Sequence, residues 1–365
     1  MPPSRPSERL RWPTADDDQA GALFPDERQA SRHAGTGAYR GLEFLHVNAR
    51  KIINSVPGAS LPFHYTINAY RGCSHACTYC FARPTHEYLG LGIGADFERK
   101  IVVKINAVER LRAELAAPTW RGEAIAMGTN TDPYQAAEGK YHLTQGIVRV
   151  LSDAANPFSI LTKSTLVLRD LPLLVAAAER TDVRLDLSVG TLDRDVWRLT
   201  EPGTPSPERR LDAVRRLNEA GVPCGVLVAP ILPGLSDRDD QIRAVVSASL
   251  DAGAVSVGTS PLHLRAGVKD HYLAWLADMR PDLVPRHERL FARGAYQPQA
   301  ERTRVARVAT EVVKDRSGSD EPRPGERQWT YLAEFDQHKK REGSDDNAGD
   351  CDRSGSVPVQ LRLTQ

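Results

Sequence analysis

The sequence predicts an α/β protein built as a partial (β/α)6, TIM-like barrel with disordered N- and C-terminal tails. Three observations carry this. Short apolar runs alternate with amphipathic helical stretches through the middle of the chain, which argues for a parallel sheet with helices outside it. The runs number six, where a full barrel needs eight strands. The segments after the runs are polar and punctuated by Gly and Pro, as expected of βα loops where barrel chemistry gathers.

Taken in order, residues 1–40 are rich in Pro, Arg, Asp, Gly and Ser and read as a disordered tail, because they offer little apolar surface to offset chain entropy. Residues 41–62 carry Leu42, Phe44, Leu45, Val47, Ile52 and Ile53 and are expected to pack on the core. The core domain is expected over 63–290, with strands at His64 to Tyr70, Ala124 to Gly128, Phe158 to Thr162, Val183 to Val189, Cys224 to Ala229 and Ala254 to Val257. Helices are expected at Val108 to Leu115, Leu143 to Ala154, Leu171 to Glu179, Pro207 to Ala220 and Ser236 to Ala252. Pro207 after Ser206 reads as a first-turn proline behind a cap, and Ser236 to Asp239 as a capping box. Gly221 and Gly253 stop the two helices. A helical extension follows at 291–335, where Arg293, Tyr296, Arg302, Arg304 and Arg307 cap the open barrel, form part of a substrate site or make a solvated basic face. Residues 336–365 read as a second disordered tail containing Cys351.

The chain has 365 residues, of which 41% are hydrophobic and 26% charged, with a formal net charge of +1. No stretch approaches the ~20 apolar residues of a membrane span. The opening Met1-Pro2-Pro3-Ser4-Arg5 has no apolar signal region, so a reducing cytoplasm is expected. A near-zero net charge gives no bulk electrostatic support for nucleic acid as a partner.

Chemistry concentrates in Arg71-Gly72-Cys73-Ser74-His75-Ala76-Cys77-Thr78-Tyr79-Cys80. Three thiols in one loop supply three ligands to a cubane iron–sulfur cluster that normally takes four. One iron is then left open to a small molecule. A zinc site wants four ligands, usually as two close pairs, whereas the other cysteines, Cys224 and Cys351, stand alone and far away. A fourth ligand from His75, between two cysteines, would be cramped.

This loop resembles the signature of the radical S-adenosylmethionine (SAM) enzymes. The resemblance extends through Tyr65 to Cys73, Gly128 to Tyr134, Thr162-Lys163-Ser164, Leu168 to Leu171, Glu201-Pro202 and Ala229 to Asp237. These segments are similar to the spore photoproduct lyase-like branch, also termed DNA repair photolyase-like, and more narrowly to the Rv2578c-type radical SAM family. The resemblance implies the radical SAM form of the barrel and a [4Fe–4S] cluster on Cys73, Cys77 and Cys80. It also implies SAM as co-substrate, chelated to the open iron and reductively cleaved to a 5′-deoxyadenosyl radical. The partners it implies are an unidentified substrate and an electron donor such as a flavodoxin or ferredoxin; the class of enzyme, lyase or transferase, stays open.

The candidate SAM contacts follow from the loops. Lys163 can pair with the carboxylate as a point charge. Asp132, Asn130 and the hydroxyls of Thr129 and Thr131 can accept from the ammonium or ribose, Ser188 can bond the ribose or carboxylate, and Tyr79 can lie near the adenine. Asn, Asp and Thr beside Gly and Pro are also ordinary turn residues. True spore photoproduct lyases carry a hydrogen-donating cysteine just before the segment that starts here at Thr129. This chain has Met127, Gly128 and Thr129 there, so the repair activity is not carried over. Two alternatives remain: photoproduct repair or another nucleic-acid modification, and a non-catalytic iron–sulfur or zinc module.

Overall fold

The computed structural model describes residues 30–56 and 63–317. Cys351, the second expected tail and most of the first lie outside them. In chain order the strands are β1 (Ser31–Ala34), β2 (Glu43–Val47), β3 (Ile53–Ser55), β4 (Tyr65–Ile67), β5 (Tyr70–Arg71), β6 (Lys100–Lys104), β7 (Ile125–Met127), β8 (Phe158–Thr162), β9 (Val183–Ser188), β10 (Cys224–Ile231) and β11 (Val257–Pro261). The helices are α1 (Ala95–Arg99), α2 (Ala107–Leu115), α3 (Glu138–Tyr141), α4 (Leu143–Asp153), α5 (Leu171–Ala178), α6 (Arg194–Thr200), α7 (Pro207–Glu219), α8 (Asp239–Asp251), α9 (Val268–Met279), α10 (Val284–Leu290) and α11 (Gln299–Ser317).

Six strands run parallel in the order β4-β7-β8-β9-β10-β11, with β3 added antiparallel beyond β4. This is the predicted six-stranded arrangement. One face of the strands is apolar and packed, with Ile160, Leu185, Leu187, Val226 and Val228 almost fully buried, while alternate residues such as Arg184 and Asp186 are half-buried. Helices α2, α4, α5, α7 and α8 cross between successive strands, as expected from their periodicity. Ser206 caps α7, its hydroxyl accepting from the Arg209 N–H, with Pro207 in the first turn.

Four departures have clear physical causes. A second sheet, β1-β2-β6-β5, lies beyond the barrel strands, and its β1 occupies part of the expected 1–40 tail. Ser31 to Ala34 are held there by pairing with β2, which supplies the order that their composition does not. The sixth strand sits later than expected, at Val257–Pro261, because its pairing with β10 begins at Val226–Val257. The box expected at Ser236 is displaced: Ser236 and Asp237 accept from Leu232 N–H (3.0 Å) and Gly234 N–H (2.7 Å), so α8 starts at Asp239, where Gln241 accepts from Arg238 N–H. Finally, α11 lies within the helical extension expected at 291–335, of which 318–335 are outside the described residues, and it packs into the core. Val305, Val308, Ala309 and Val312 share one helical face and join the main hydrophobic cluster. Its arginines are spent on structure: Arg304 pairs with Asp239 and Asp237, and Arg307 with Glu311.

Candidate active site

The three thiols sit on the loop that follows β5. Gly72 enters it at φ +79°, with its Cα against His86 and the Phe97 carbonyl, where a Cβ would come within 2.8 Å of both. Only glycine tolerates that backbone and that contact. The Cys73 N–H then donates to Phe97 O at 2.9 Å, and the Cys80 N–H to Cys77 O at 3.3 Å. Arg83, wholly buried, donates to Cys77 O from Nε (3.1 Å) and Nη2 (2.8 Å). Cys73, Cys77 and Cys80 are free thiols, the first two buried and the third partly so. Burial pushes the Cys77 and Cys80 thiols up, Cys80 to about 11, with Cys73 adding to the effect at both. Thr78 Oγ1, between two of the cysteines, is buried without a hydrogen-bond partner.

Two neighbouring loops clamp this one. From the β7 side, Thr131 Oγ1 donates to Gly72 O at 2.6 Å, Gln135 Nε2 donates to the same oxygen at 2.8 Å, and Ser74 N–H donates to Gln135 Oε1 at 3.1 Å. Asn68 holds the segment by accepting from Asn130 N–H at 3.2 Å and contacting the Thr129 hydroxyl. Asp132 is spent within the protein: it accepts from Thr162 Oγ1 (2.7 Å), Tyr134 N–H (2.9 Å) and Lys163 N–H (2.8 Å), and faces His75 Nδ1 at 3.4 Å. Burial alone would push His75 down, but Asp132, with Cys73 beside it, lifts it to about 10. From the other side, Thr78 N–H donates to Thr200 O at 3.0 Å and Gly203 N–H to His75 O at 3.1 Å. A Cβ on Gly203 would lie 2.3 Å from Ser74 O. The cysteine loop is therefore fixed on both flanks by backbone-level contacts.

Beside it lies a charged cluster. Lys163, after β8, extends to Ser188 Oγ (2.5 Å) and Ala229 O (3.3 Å) at the ends of β9 and β10. Its Nζ stands 3.8 Å from Glu201 Oε1 and 5.9 Å from the centre of the Tyr79 ring. Glu201 accepts from the Tyr79 hydroxyl and from Arg210 Nη2, and Arg210 Nη1 donates to Ser188 O at 2.7 Å. Burial alone would raise Glu201, yet Arg210, then Lys163 and Tyr79, hold it at about 2. Two cations thus share one carboxylate. Arg210 makes the close pair and Lys163 the loose one, which leaves the ammonium able to serve another anion.

Of the residues expected to contact SAM, Tyr79, Lys163 and Ser188 come together in this cluster, Thr131 and Asp132 contact the cysteine loop at Gly72 and His75, and Thr129 and the Asn130 N–H contact Asn68. Sequence reasoning missed Glu201 and Arg210 as site residues. Helical phase was the available signal for Arg210, since it shares a face of α7 with the buried Ala213, Val214 and Leu217. Cys224 is fully buried at the start of β10, about 16 Å along the strand from Ala229, whose carbonyl meets Lys163, so it is remote from the site.

Residues 67–245 match the radical SAM superfamily. The uncharacterized protein Rv2578c of Mycobacterium tuberculosis is 45% identical over 291 residues, covering 79% of this chain and 86% of that protein. The uncharacterized protein MJ0683 of Methanocaldococcus jannaschii is 32% identical over 198 residues, 54% of this chain and 70% of that one. Among solved structures, a spore photoproduct lyase variant with dinucleoside spore photoproduct superposes with a TM-score of 0.56 at 19% identity, over 74% of this chain and 79% of that chain. That last likeness is one of fold.

Proposed function

Because the chain belongs to the radical SAM superfamily, enzymes that use a [4Fe–4S] cluster and S-adenosylmethionine, we propose that Cys73, Cys77 and Cys80 hold that cluster and that the chain cleaves SAM reductively. The supporting observation is the juxtaposition of three free thiols on one doubly clamped loop with a cation-rich cluster at the adjoining strand ends. When bound, the cluster held by Cys73, Cys77 and Cys80 would supply the one electron needed to split SAM into methionine and a 5′-deoxyadenosyl radical for hydrogen abstraction. This division leaves orientation and protection to the protein.

The roles of the chain's own residues follow from the contacts. Lys163 is assigned to the SAM carboxylate, since its bond to Glu201 is the looser one in a cluster with one positive charge in excess. Ser188 and Tyr79 flank the same ammonium, while Glu201 and Arg210 hold Lys163 and Tyr79 in place. Asp132 and Thr131 position the cysteine loop, and Thr129 and Asn130 join Asn68 beside it. His75, committed to Asp132, is not a ligand. The core domain runs from 63 to 317, because α11 completes its packing. No helix among the described residues is long and apolar enough to cross a membrane, and free thiols suit a reducing cytoplasm, with a small electron carrier such as a flavodoxin or ferredoxin as donor.

Photoproduct reversal lacks its hydrogen-donating cysteine, since the corresponding segment here is Met127-Gly128-Thr129. Gly128 within it has φ +94°, and a Cβ there would lie 2.0 Å from Leu161 O, so that position does not accept a cysteine. Anaerobic reconstitution of single variants tests the assignment of ligands. Cys73→Ala, Cys77→Ala and Cys80→Ala should each lose iron, whereas Cys224→Ala should retain it. A normal cluster in any of the first three removes that cysteine from the ligand set.

A further inference from the structure

Among the described residues, four buried side-chain polar atoms lack a hydrogen-bond partner, and one of them, Thr78 Oγ1, stands in the cysteine loop between Cys77 and Cys80. Thr78 is 8% exposed. A buried hydroxyl ordinarily finds an acceptor, because an unpaired one loses the bonds it made to water. The acceptors beside this segment already have donors. Cys77 O takes the Cys80 N–H and two nitrogens of Arg83. Thr200 O takes the Thr78 N–H, and the two Glu201 oxygens take Tyr79, Arg210 and Thr204. The hydroxyl bonds none of the three thiols either. Nor is the residue free to turn away. The Cys80 N–H closes a turn on Cys77 O, the Thr78 N–H is anchored on Thr200 O at 3.0 Å, and branching at Cβ restricts the side chain.

We infer, on the basis of the cluster assignment proposed above, that Thr78 Oγ1 donates its hydrogen bond to a sulfur of the iron–sulfur cluster and so raises the cluster's reduction potential. Cluster sulfurs are hydrogen-bond acceptors, and they are the acceptors that this loop gains when it is loaded. Adding an electron makes those sulfurs more negative, so a bond donated to them is stronger in the reduced state. Hydrogen bonding around a metal centre is accordingly one of the protein's means of setting its potential. Thr78 thereby eases electron transfer from the carrier without bringing a charge into the site.

The test uses the full chain, reconstituted anaerobically and kept free of SAM. Thr78→Val keeps the branched shape and removes only the hydroxyl, and Thr78→Ser keeps the hydroxyl. Redox titration with dithionite, read by electron paramagnetic resonance, gives the potential of each. In Thr78→Val the reduction equilibrium should be less favourable on the order of tenfold, which is about 59 mV for a one-electron couple, while Thr78→Ser stays close to the native value. Thr78→Ala should give the same reading as Thr78→Val and replaces it where that variant does not load. Before reconstitution, Thr78→Val should melt no lower than the native chain, since it loses no partner there. A potential unchanged at full iron content would overturn the inference, as would an equal fall in Thr78→Ser, which would make the effect one of packing. A large loss of thermal stability in unloaded Thr78→Val would overturn it too, by revealing a partner within the protein. Weaker SAM binding at an unchanged potential would assign the hydroxyl to SAM instead. A native chain that takes up no iron refutes the cluster assignment itself, whereas a full cluster indifferent to Thr78→Val refutes the hydrogen bond alone.

Discussion

Glu201→Gln is the substitution whose consequences the structure specifies most fully. The carboxylate is 4% exposed and joins Arg210, itself 1% exposed, to Lys163 and Tyr79. Its pKa falls from 4.5 to about 2 on folding. At ~1.36 kcal/mol per unit, that drop corresponds to roughly 3 kcal/mol of stability near neutrality. Removing one partner of a buried pair gives a similar figure, about 3–5 kcal/mol, because Arg210 is left charged and unpaired. For a domain of this size the melting temperature should fall by roughly 6–12 °C. The sign of the pH dependence follows from a carboxyl that titrates lower in the folded chain. Its contribution is complete above pH 4.5, shrinks as the pH falls through the window from 4.5 to about 2, and is absent below it. Since Gln mimics the protonated acid, the gap between the two proteins should narrow by about 1–1.5 kcal/mol between pH 7 and roughly pH 3.5. Urea unfolding of both proteins across that range provides the assay. A gap near zero at pH 7, or one of constant size down to the acid end, would refute the assignment of Glu201 as the shared counter-ion.

Other expectations concern the neighbouring residues. Lys163→Ala should keep a normal cluster spectrum but bind SAM on the order of tenfold to a hundredfold more weakly, as expected for a charged hydrogen bond, with partial rescue by Lys163→Arg; titrating the spectral shift with SAM measures this. Gly128→Ala should destabilise the chain severely, since both the positive φ and the Leu161 carbonyl oppose a Cβ, and soluble yield and thermal melting report it. Irradiated DNA incubated with the reduced enzyme and SAM should show no efficient reversal of thymine photoproducts by mass spectrometry; robust reversal would mean that a hydrogen donor other than a cysteine at position 128 operates, and Cys224 is too far along β10 to be that donor.

Much of the barrel was legible because its strands carry a buried face of apolar residues, such as Phe158 and Ile160 or Val183, Leu185 and Leu187. Phe158 to Thr162 was read at its observed bounds, and Val183 to Val189 differed by one residue. The sixth strand was misplaced because Val257–Pro261 is a sheet edge whose residues are mostly half-buried, including Gly258, Thr259 and Ser260. The small sheet escaped notice because β2 pairs with β6 across a long stretch of intervening chain, and no local pattern announces such a partner. At the site, loop chemistry picked out Tyr79, Lys163 and Ser188. It did not show that Asp132 would be consumed by His75, a contact made only when two distant loops meet. Arg210 sat among several arginines of one helix, and only its phase with Ala213, Val214 and Leu217 distinguishes it from the solvated ones.

The central claim is that Cys73, Cys77 and Cys80 hold a cluster whose open iron takes SAM beside Lys163. Electron paramagnetic resonance of the anaerobically reconstituted, reduced protein, recorded before and after SAM is added, tests it most directly. Iron should approach about four per chain, as the cubane requires, and the signal should shift on SAM addition in the native chain. A spectrum indifferent to SAM, or zinc bound tightly with no iron, would contradict the account.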